Sequence, residues 1–370
     1  FLNMTINEIK DDETQNIDDK SEDFYNFCTN CGKILVESDH PFCHHCGVQF
    51  LEERTIPADR AFILAAVYGK NGWIRWIMCS VSVVIMWQLV GALPLAAVCG
   101  FLSRFGLWEF NCSIDSLNIS GPSHVPGFIL TMASPLIGAV SLWFLSALIH
   151  EKKLLPIITG RLRFDYERFA FAMLIVFVLS SISLAVELKL NTAEAMGGEL
   201  TRNPVTFDYV ILAIFVVILV PIQAGMEEVF FRGYLLQGLS LVSRSKKFLL
   251  ISTSLIFAAV HLANPEPWEY GVLPYMLAIL SLGAFMGIIT LVDGGLELAI
   301  GFHTMNNIWS FLVVGLENSV MPTPSLYVLK VESLEIGAVL IPGIFQFVIL
   351  FGIFGLRYGW FRRRNQPHRA

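Results

Sequence analysis

Charge is scarce in this chain. Only 15% of its 370 residues are Asp, Glu, Lys or Arg, against about 25% in soluble domains. Together with 55% apolar residues, that shortage excludes an ordinary soluble globule. The apolar residues gather in blocks of roughly 17–25, the length a helix needs to cross a bilayer. An excess of positive charge is missing too. The net charge is −6, much of it in the N-terminal tail, which argues against a nucleic-acid surface. No internal repeat is visible, so a transporter built from repeated halves gains no support. There is no HExxH, hence no self-evident zinc-protease helix. No Ser or Cys motif for a covalent nucleophile accompanies the polar residues described below. The start is acidic and polar, without the pattern of a signal peptide. Met4 reads as the expected start, with Phe1–Asn3 an extension ahead of it.

What is present begins with cysteine. "FCTNCGKIL" and "FCHHCGVQF" place Cys28 and Cys31, then Cys43 and Cys46, in two Cys-x2-Cys knuckles separated by eleven residues. Each knuckle ends in Cys-Gly, and glycine permits the tight turn that aims backbone amides at thiolate sulfur. Four thiolates at this spacing close a tetrahedral zinc shell, leaving no open position for catalysis. A unit this small could hardly fold without the metal. The pattern resembles a zinc ribbon, so we expect a structural zinc on Cys28, Cys31, Cys43 and Cys46 and a role in binding a protein partner or in assembly. His40, His44 and His45 are spare ligands. Matched knuckles favour metal over disulfides, which places this head on a reducing, cytoplasmic side. Cys79, Cys99 and Cys112 show no spacing that suggests a framework.

Composition divides the rest. Residues 1–26 are acidic and apolar-poor and read as disordered; 27–50 are the ribbon; 51–72 are a linker with room for a short interfacial helix; 357–370 are a basic tail. Between them, 73–356 read as an all-helical membrane domain of about eight spans, near 74–100, 126–149, 169–187, 207–225 (apolar to 241), 248–263, 272–290, 295–315 and 336–354. Lys and Arg concentrate at 152–168, 244–247 and 357–364 and are nearly absent from the alternate loops. By the positive-inside rule this predicts an integral membrane protein with both termini cytoplasmic.

Three polar patterns interrupt the apolar blocks: "EEVFFR" (Glu227–Arg232), "FAAVH" (Phe257–His261) and "HTMNN" (His303–Asn307). Charge inside a bilayer is costly and marks function by default. Glu228 and Arg232 stand at i and i+4, so they can pair. Glu227 points about 100° away and has no local cation. A carboxylate left alone in low dielectric is poised as a general base. His261 and His303 could bind a metal or polarise water and a carbonyl, and Asn307 could donate to an oxyanion. A lone His or Asn in a membrane more often serves packing; four such groups in order point to chemistry. If both segments are helical, Glu227 and His261 lie at comparable depth, far from the basic turn at 243–247. A break at Pro221 or Gly225 would change that. Glu187, Asp293, Glu297 and Glu317 fall at span edges and read as interfacial; Trp76, Trp87 and Trp309 read as belt or core.

EExxxR, FxxxH and HxxxN, in this order on successive spans, resemble the CPBP family of intramembrane proteases. That family includes the CAAX prenyl endopeptidases (Rce1-like) and bacterial relatives sometimes called Abi proteins. "FRGYLLQGL" and "HTMNNIWSF" are similar to the family as well, and the resemblance covers about 207–315. It implies that Glu227 activates water with help from His261, and that His303 and Asn307 stabilise the oxyanion or hold a metal. Arg232 is then the structural partner in the first motif, and Glu228 its second glutamate. The family has been described both as zinc metalloproteases and as glutamate proteases, so a catalytic zinc and a metal-free water both stay open. The expectation is a peptidase acting on peptides or protein tails near the lipid bilayer. Alternatives are a non-catalytic scaffold or immunity protein that keeps the fold, or a proton-coupled transporter.

Overall fold

The computed structural model describes residues 58–105, 111–113, 118–120, 123–195 and 198–361, together with two short strands near the N-terminus. Those strands, β1 (Asn26–Phe27) and β2 (Ile34–Leu35), pair antiparallel and flank the first cysteine knuckle in sequence. Cys28, Cys31, Cys43 and Cys46, the acidic tail and the final basic residues lie outside the described residues.

The rest is helical. After α1 (Ala58–Leu64) come α2 (Trp73–Val84) and α3 (Leu93–Phe105), joined by a π-helical stretch at Ile85–Val90. The strands β3 (Asn111–Ser113) and β4 (Asn118–Ser120) form a hairpin. Then follow α4 (Val125–His150), α5 (Leu155–Ile158), α6 (Tyr166–Leu190), α7 (Thr192–Ala195), strand β5 (Glu199–Arg202) and α8 (Phe207–Glu228). A second π-helical stretch, Val229–Leu235, leads into α9 (Leu236–Ser240). Next are α10 (Lys246–Val260), α11 (Glu266–Tyr270), α12 (Val272–Asp293), α13 (Glu297–Leu312), strands β6 (Val314–Leu316) and β7 (Tyr327–Lys330), and α14 (Ile336–Arg357). Strand order β5-β7-β6 makes a small sheet, antiparallel on one side and parallel on the other.

Local chemistry explains the helix ends. The side chains of Asp165, Thr206 and Ser245 accept from the backbone N–H three residues on, capping α6, α8 and α10. Gly294 ends α12 with φ of 78°, and a Cβ there would lie 2.2 Å from the Ala58 carbonyl carbon. Both facts require glycine.

Among the described residues, seven helices are long and apolar enough to cross a membrane: Trp73–Leu102, Val125–His150, Tyr166–Leu190, Phe207–Ser240, Lys246–Ala263, Val272–Asp293 and Ile336–Arg357. Many large apolar side chains face outward on them, among them Trp143, Phe144, Leu148, Phe177 and Ile182. Water does not tolerate apolar patches of that extent, and lipid does. The chain is thus a multi-pass integral membrane protein. The eighth expected span, at 295–315, is the 16-residue α13, with eleven buried residues including both ends. It packs against α6 and α8 inside the bundle, and because protein rather than lipid surrounds it, it need not match the bilayer's thickness.

Contacts sort the loops onto two faces. One carries α1, the turn after α4, the α9–α10 turn, the α12–α13 turn and the end of α14. Lys246 pairs with Asp59, Gly160 N–H bonds Gly294 carbonyl, and Trp360 Nε1 donates to Asp293. The other face carries the small sheet, α11 and the loop before α4, where Ser123 donates to Asp208 and Asn318 N–H to the Tyr270 hydroxyl.

Several expectations are corrected here. The linker does hold a short helix, α1, and it is packed into the protein: Ala61 and Phe62 are buried, and Gln237 Nε2 donates to the Phe62 carbonyl at 3.0 Å. Asp293 and Glu297 do stand at helix ends, as expected, but inside the protein rather than facing its surroundings. They are buried with Arg161, at 2.6 and 3.0 Å, and Arg168 adds a contact to Asp293 at 3.6 Å. Two carboxylates are tolerable there because two guanidiniums neutralise them. Glu187 accepts from Ala193 N–H and Glu317 pairs with Lys330, both near the opposite face. Cys99 is disulfide-bonded, although no spacing suggested it, and Cys79 is a buried thiol. Trp87 is a core residue, and Trp76 stacks near His150 and Tyr234.

Candidate active site

No break occurs at Pro221 or Gly225. Helix continues from Phe207 to Ser240, and the only departure from α geometry is the π-helical stretch that begins just after Glu228. At 1.5 Å per residue, Glu227 and His261 each stand about 20 Å from the α9–α10 turn. His261 ends α10 toward the face that bears the small sheet, whereas Glu227 stands closer along its helix to Ser240 than to Phe207.

The register of α8 against α13 builds the site. Glu227 and Gln223 are one turn apart on α8, as are His303 and Asn307 on α13, and the two helices meet antiparallel. Gln223 Nε2 donates to Glu227 Oε1 at 2.5 Å, and Asn307 Nδ2 donates to Gln223 Oε1 at 3.0 Å. Across the other rung, His303 Nε2 lies 3.8 Å from Glu227 Oε2. Glu227 keeps 14% side-chain exposure, whereas Glu228 has none.

Glu228 faces a different set. Its Oε1 accepts from Arg232 at 2.9 Å and from His303 Nδ1 at 2.8 Å. Arg232 is fully buried, its guanidinium 4.0 Å from the centre of the Phe257 ring and its other arm donating to the Gly283 carbonyl. A Cβ at Gly283 would press on both Arg232 and Phe257 at 3.1–3.2 Å, so this tight cation site uses glycine for close approach. The expected Glu228–Arg232 pair is present, and a partner from α13 is added to it. An imidazole held through Nδ1 by a carboxylate has its Nε2 fixed in direction.

His261 sits apart from the other expected residues. Its Nδ1 bonds the Phe257 carbonyl at 2.7 Å, and its ring lies 4.5 Å from the Phe257 ring, which is 6.4 Å from that of His303. Among the described residues, no hydrogen bond or ion pair joins it to Glu227, His303 or Asn307. Gln223 was not anticipated. The signal was available: a lone amide one helical turn before Glu227, in an otherwise apolar stretch.

A zinc at this place would draw on Glu227 and the Nε2 atoms of His303 and His261, a His2Glu set. Among the described residues no three His, Cys, Asp or Glu side chains gather as a metal cluster, and Phe257 touches both imidazoles. As placed, the donors do not fit one ion, and no step below runs through a metal.

Residues 206–309 match the family model described as type II CAAX prenyl endopeptidase Rce1-like. That stretch contains all of the polar side chains above. The chain is also similar to the uncharacterized protein YyaK of Bacillus subtilis (strain 168), at 27% identity over 186 residues. The alignment covers 50% of this chain and 60% of that protein. No solved structure matches.

Proposed function

We propose that the chain is an intramembrane endopeptidase of the CAAX-processing type that hydrolyses peptide bonds near the membrane with a water activated by Glu227. The observation that carries this reading is the pairing of a partly accessible carboxylate with an oriented imidazole, inside the region that matches the endopeptidase model. A water between Glu227 Oε2 and His303 Nε2 would give its proton to Glu227 as its oxygen attacks the scissile carbonyl. The second N–H of Asn307 would face the developing oxyanion. Glu227 then returns the proton to the leaving amine, so no acyl-enzyme forms. Glu228 holds His303, and Arg232 pairs with Glu228. His261 stands at the edge of this site as a contact for substrate or for the water.

The substrate is a peptide or protein tail at the bilayer. The head at 27–50 binds a structural zinc through Cys28, Cys31, Cys43 and Cys46 and serves as a docking point for a protein partner. The face with α1 and the basic loops is cytoplasmic.

The test is cleavage of a membrane-tethered peptide library in detergent, comparing wild type with Glu227→Gln. Loss of a general base should lower turnover by about 10²- to 10⁴-fold. Retained turnover in that variant would overturn the assignment. Each assay is repeated with chelator on the full chain and on a deletion of residues 1–50, because stripping zinc from the head can mimic loss of a catalytic metal. Chelator-resistant cleavage by the deletion variant is expected.

A further inference from the structure

We infer that Gln223 is a positioning residue for the reaction, locking the Glu227 carboxylate and the Asn307 amide into one register. This rests on Glu227 being the base. Gln223 is buried at 8% exposure, and its amide makes two bonds of opposite sense, to Glu227 Oε1 and from Asn307 Nδ2. Chemistry fixes that direction. An ionised carboxylate has no hydrogen to give, so Gln223 must meet it with its NH2 group. Its carbonyl is then the end turned to α13, and Asn307 must answer with its own NH2.

Two consequences follow for the site. With Oε1 occupied, Oε2 is the working oxygen of Glu227, and it is the one nearer His303 Nε2. With one N–H of Asn307 committed, the amide cannot turn its oxygen toward the substrate carbonyl, and its second N–H is left for the oxyanion. Gln223 thus links base and oxyanion donor, which sit on different helices, through one rigid amide.

The test uses Gln223→Met, which keeps length without hydrogen bonds, in the same tethered-peptide assay. We expect kcat to fall about 10- to 100-fold, the size of effect a misplaced group has. KM should stay near wild type, because the lost interaction serves the transition state. Adding Asn307→Ala to Gln223→Met should cost little more than the worse single change, because both act through one chain of bonds. Gln223→Glu covers the case in which the Met variant does not fold. A carboxylate at 223 has no amide hydrogen for Glu227 Oε1, so kcat should fall as in the Met variant. If Glu227→Gln is inactive while either Gln223 variant keeps wild-type kcat, this inference fails and the base assignment stands. A loss of thermal stability alone would be the same negative result. If Glu227→Gln cleaves like wild type, both fail.

Discussion

A helical step of about 100° separates Glu227 from Glu228, and it sends one carboxylate to Gln223 and the other to Arg232 and His303. The fully buried one is bound to its cation, so the two should respond differently to the same substitution. Glu228→Gln leaves Arg232 as an uncompensated buried charge and should cost about 3–5 kcal/mol, read as a lowered thermal transition in detergent. Adding Arg232→Met should recover most of that loss, since a buried pair replaced by neutral groups is often tolerated. A Glu228→Gln protein as stable as wild type would show that the pair contributes nothing. Lys152 offers a second residue-scale test. It is buried beside the Tyr68 and Trp76 rings with its Nζ donating to the Ala66 carbonyl, and burial pushes its amine down to about 7. Between that value and about 10.4, the ordinary lysine value, the unfolded chain binds the proton that the folded chain has released. Stability from this group therefore rises with pH across the window. The transition temperature should climb from pH 7 to 9 in wild type, and the slope should flatten in Lys152→Met.

At the scale of elements, the site depends on how closely two helices approach. Gly301, two residues before His303, lies against the α6 backbone, where a Cβ would fall 2.4 Å from the Phe169 carbonyl oxygen. Backbone cannot move aside as a side chain can. Gly301→Ala should push α13 off α6, cost about 1–3 kcal/mol as overpacking does, and disturb the rung between His303 and Glu227. A thermal scan beside the cleavage assay checks both effects, and an unchanged transition temperature would count against that close contact. The π-helical stretch at Val229–Leu235 belongs to this scale as well. Such stretches recur at functional sites, and this one separates the carboxylates from Gln237, which is tied to Phe62 and Pro156.

For the molecule as a whole, the two faces make a statement about sidedness. The basic face should be cytoplasmic and the sheet-bearing face outside. Cys99 is disulfide-bonded near the far end of the first span, and a disulfide belongs on an oxidising side. In a background lacking other reactive cysteines, Arg244→Cys should be labelled by an impermeant thiol reagent only after cells are opened. Ser333→Cys should be labelled in intact cells. The reverse pattern would invert the proposed orientation. Purified full-length chain should carry about one zinc, as a closed four-cysteine shell requires, and Cys28→Ser should lose most of it by elemental analysis.

The sequence by itself determined seven of the expected spans, because bilayer thickness sets their length, but not that the eighth, α13, is a shorter helix inside the bundle. It also determined the pairing of Glu228 with Arg232 and of His303 with Asn307 on one face, because i, i+4 geometry is local. The separate orientation of Glu227 follows from the same rule. Only the tertiary structure decided what these faces meet. Gln223 became part of the site through the register of α8 against α13, a long-range fact that no helical period encodes. His261 was displaced behind Phe257 by the way α10 packs. Asp293 and Glu297, charged and at helix ends, are buried with Arg161 from a loop and Arg168 from the start of α6, both more than a hundred residues away. Local geometry is written residue by residue, whereas the partners of a buried charge are chosen by packing between distant segments.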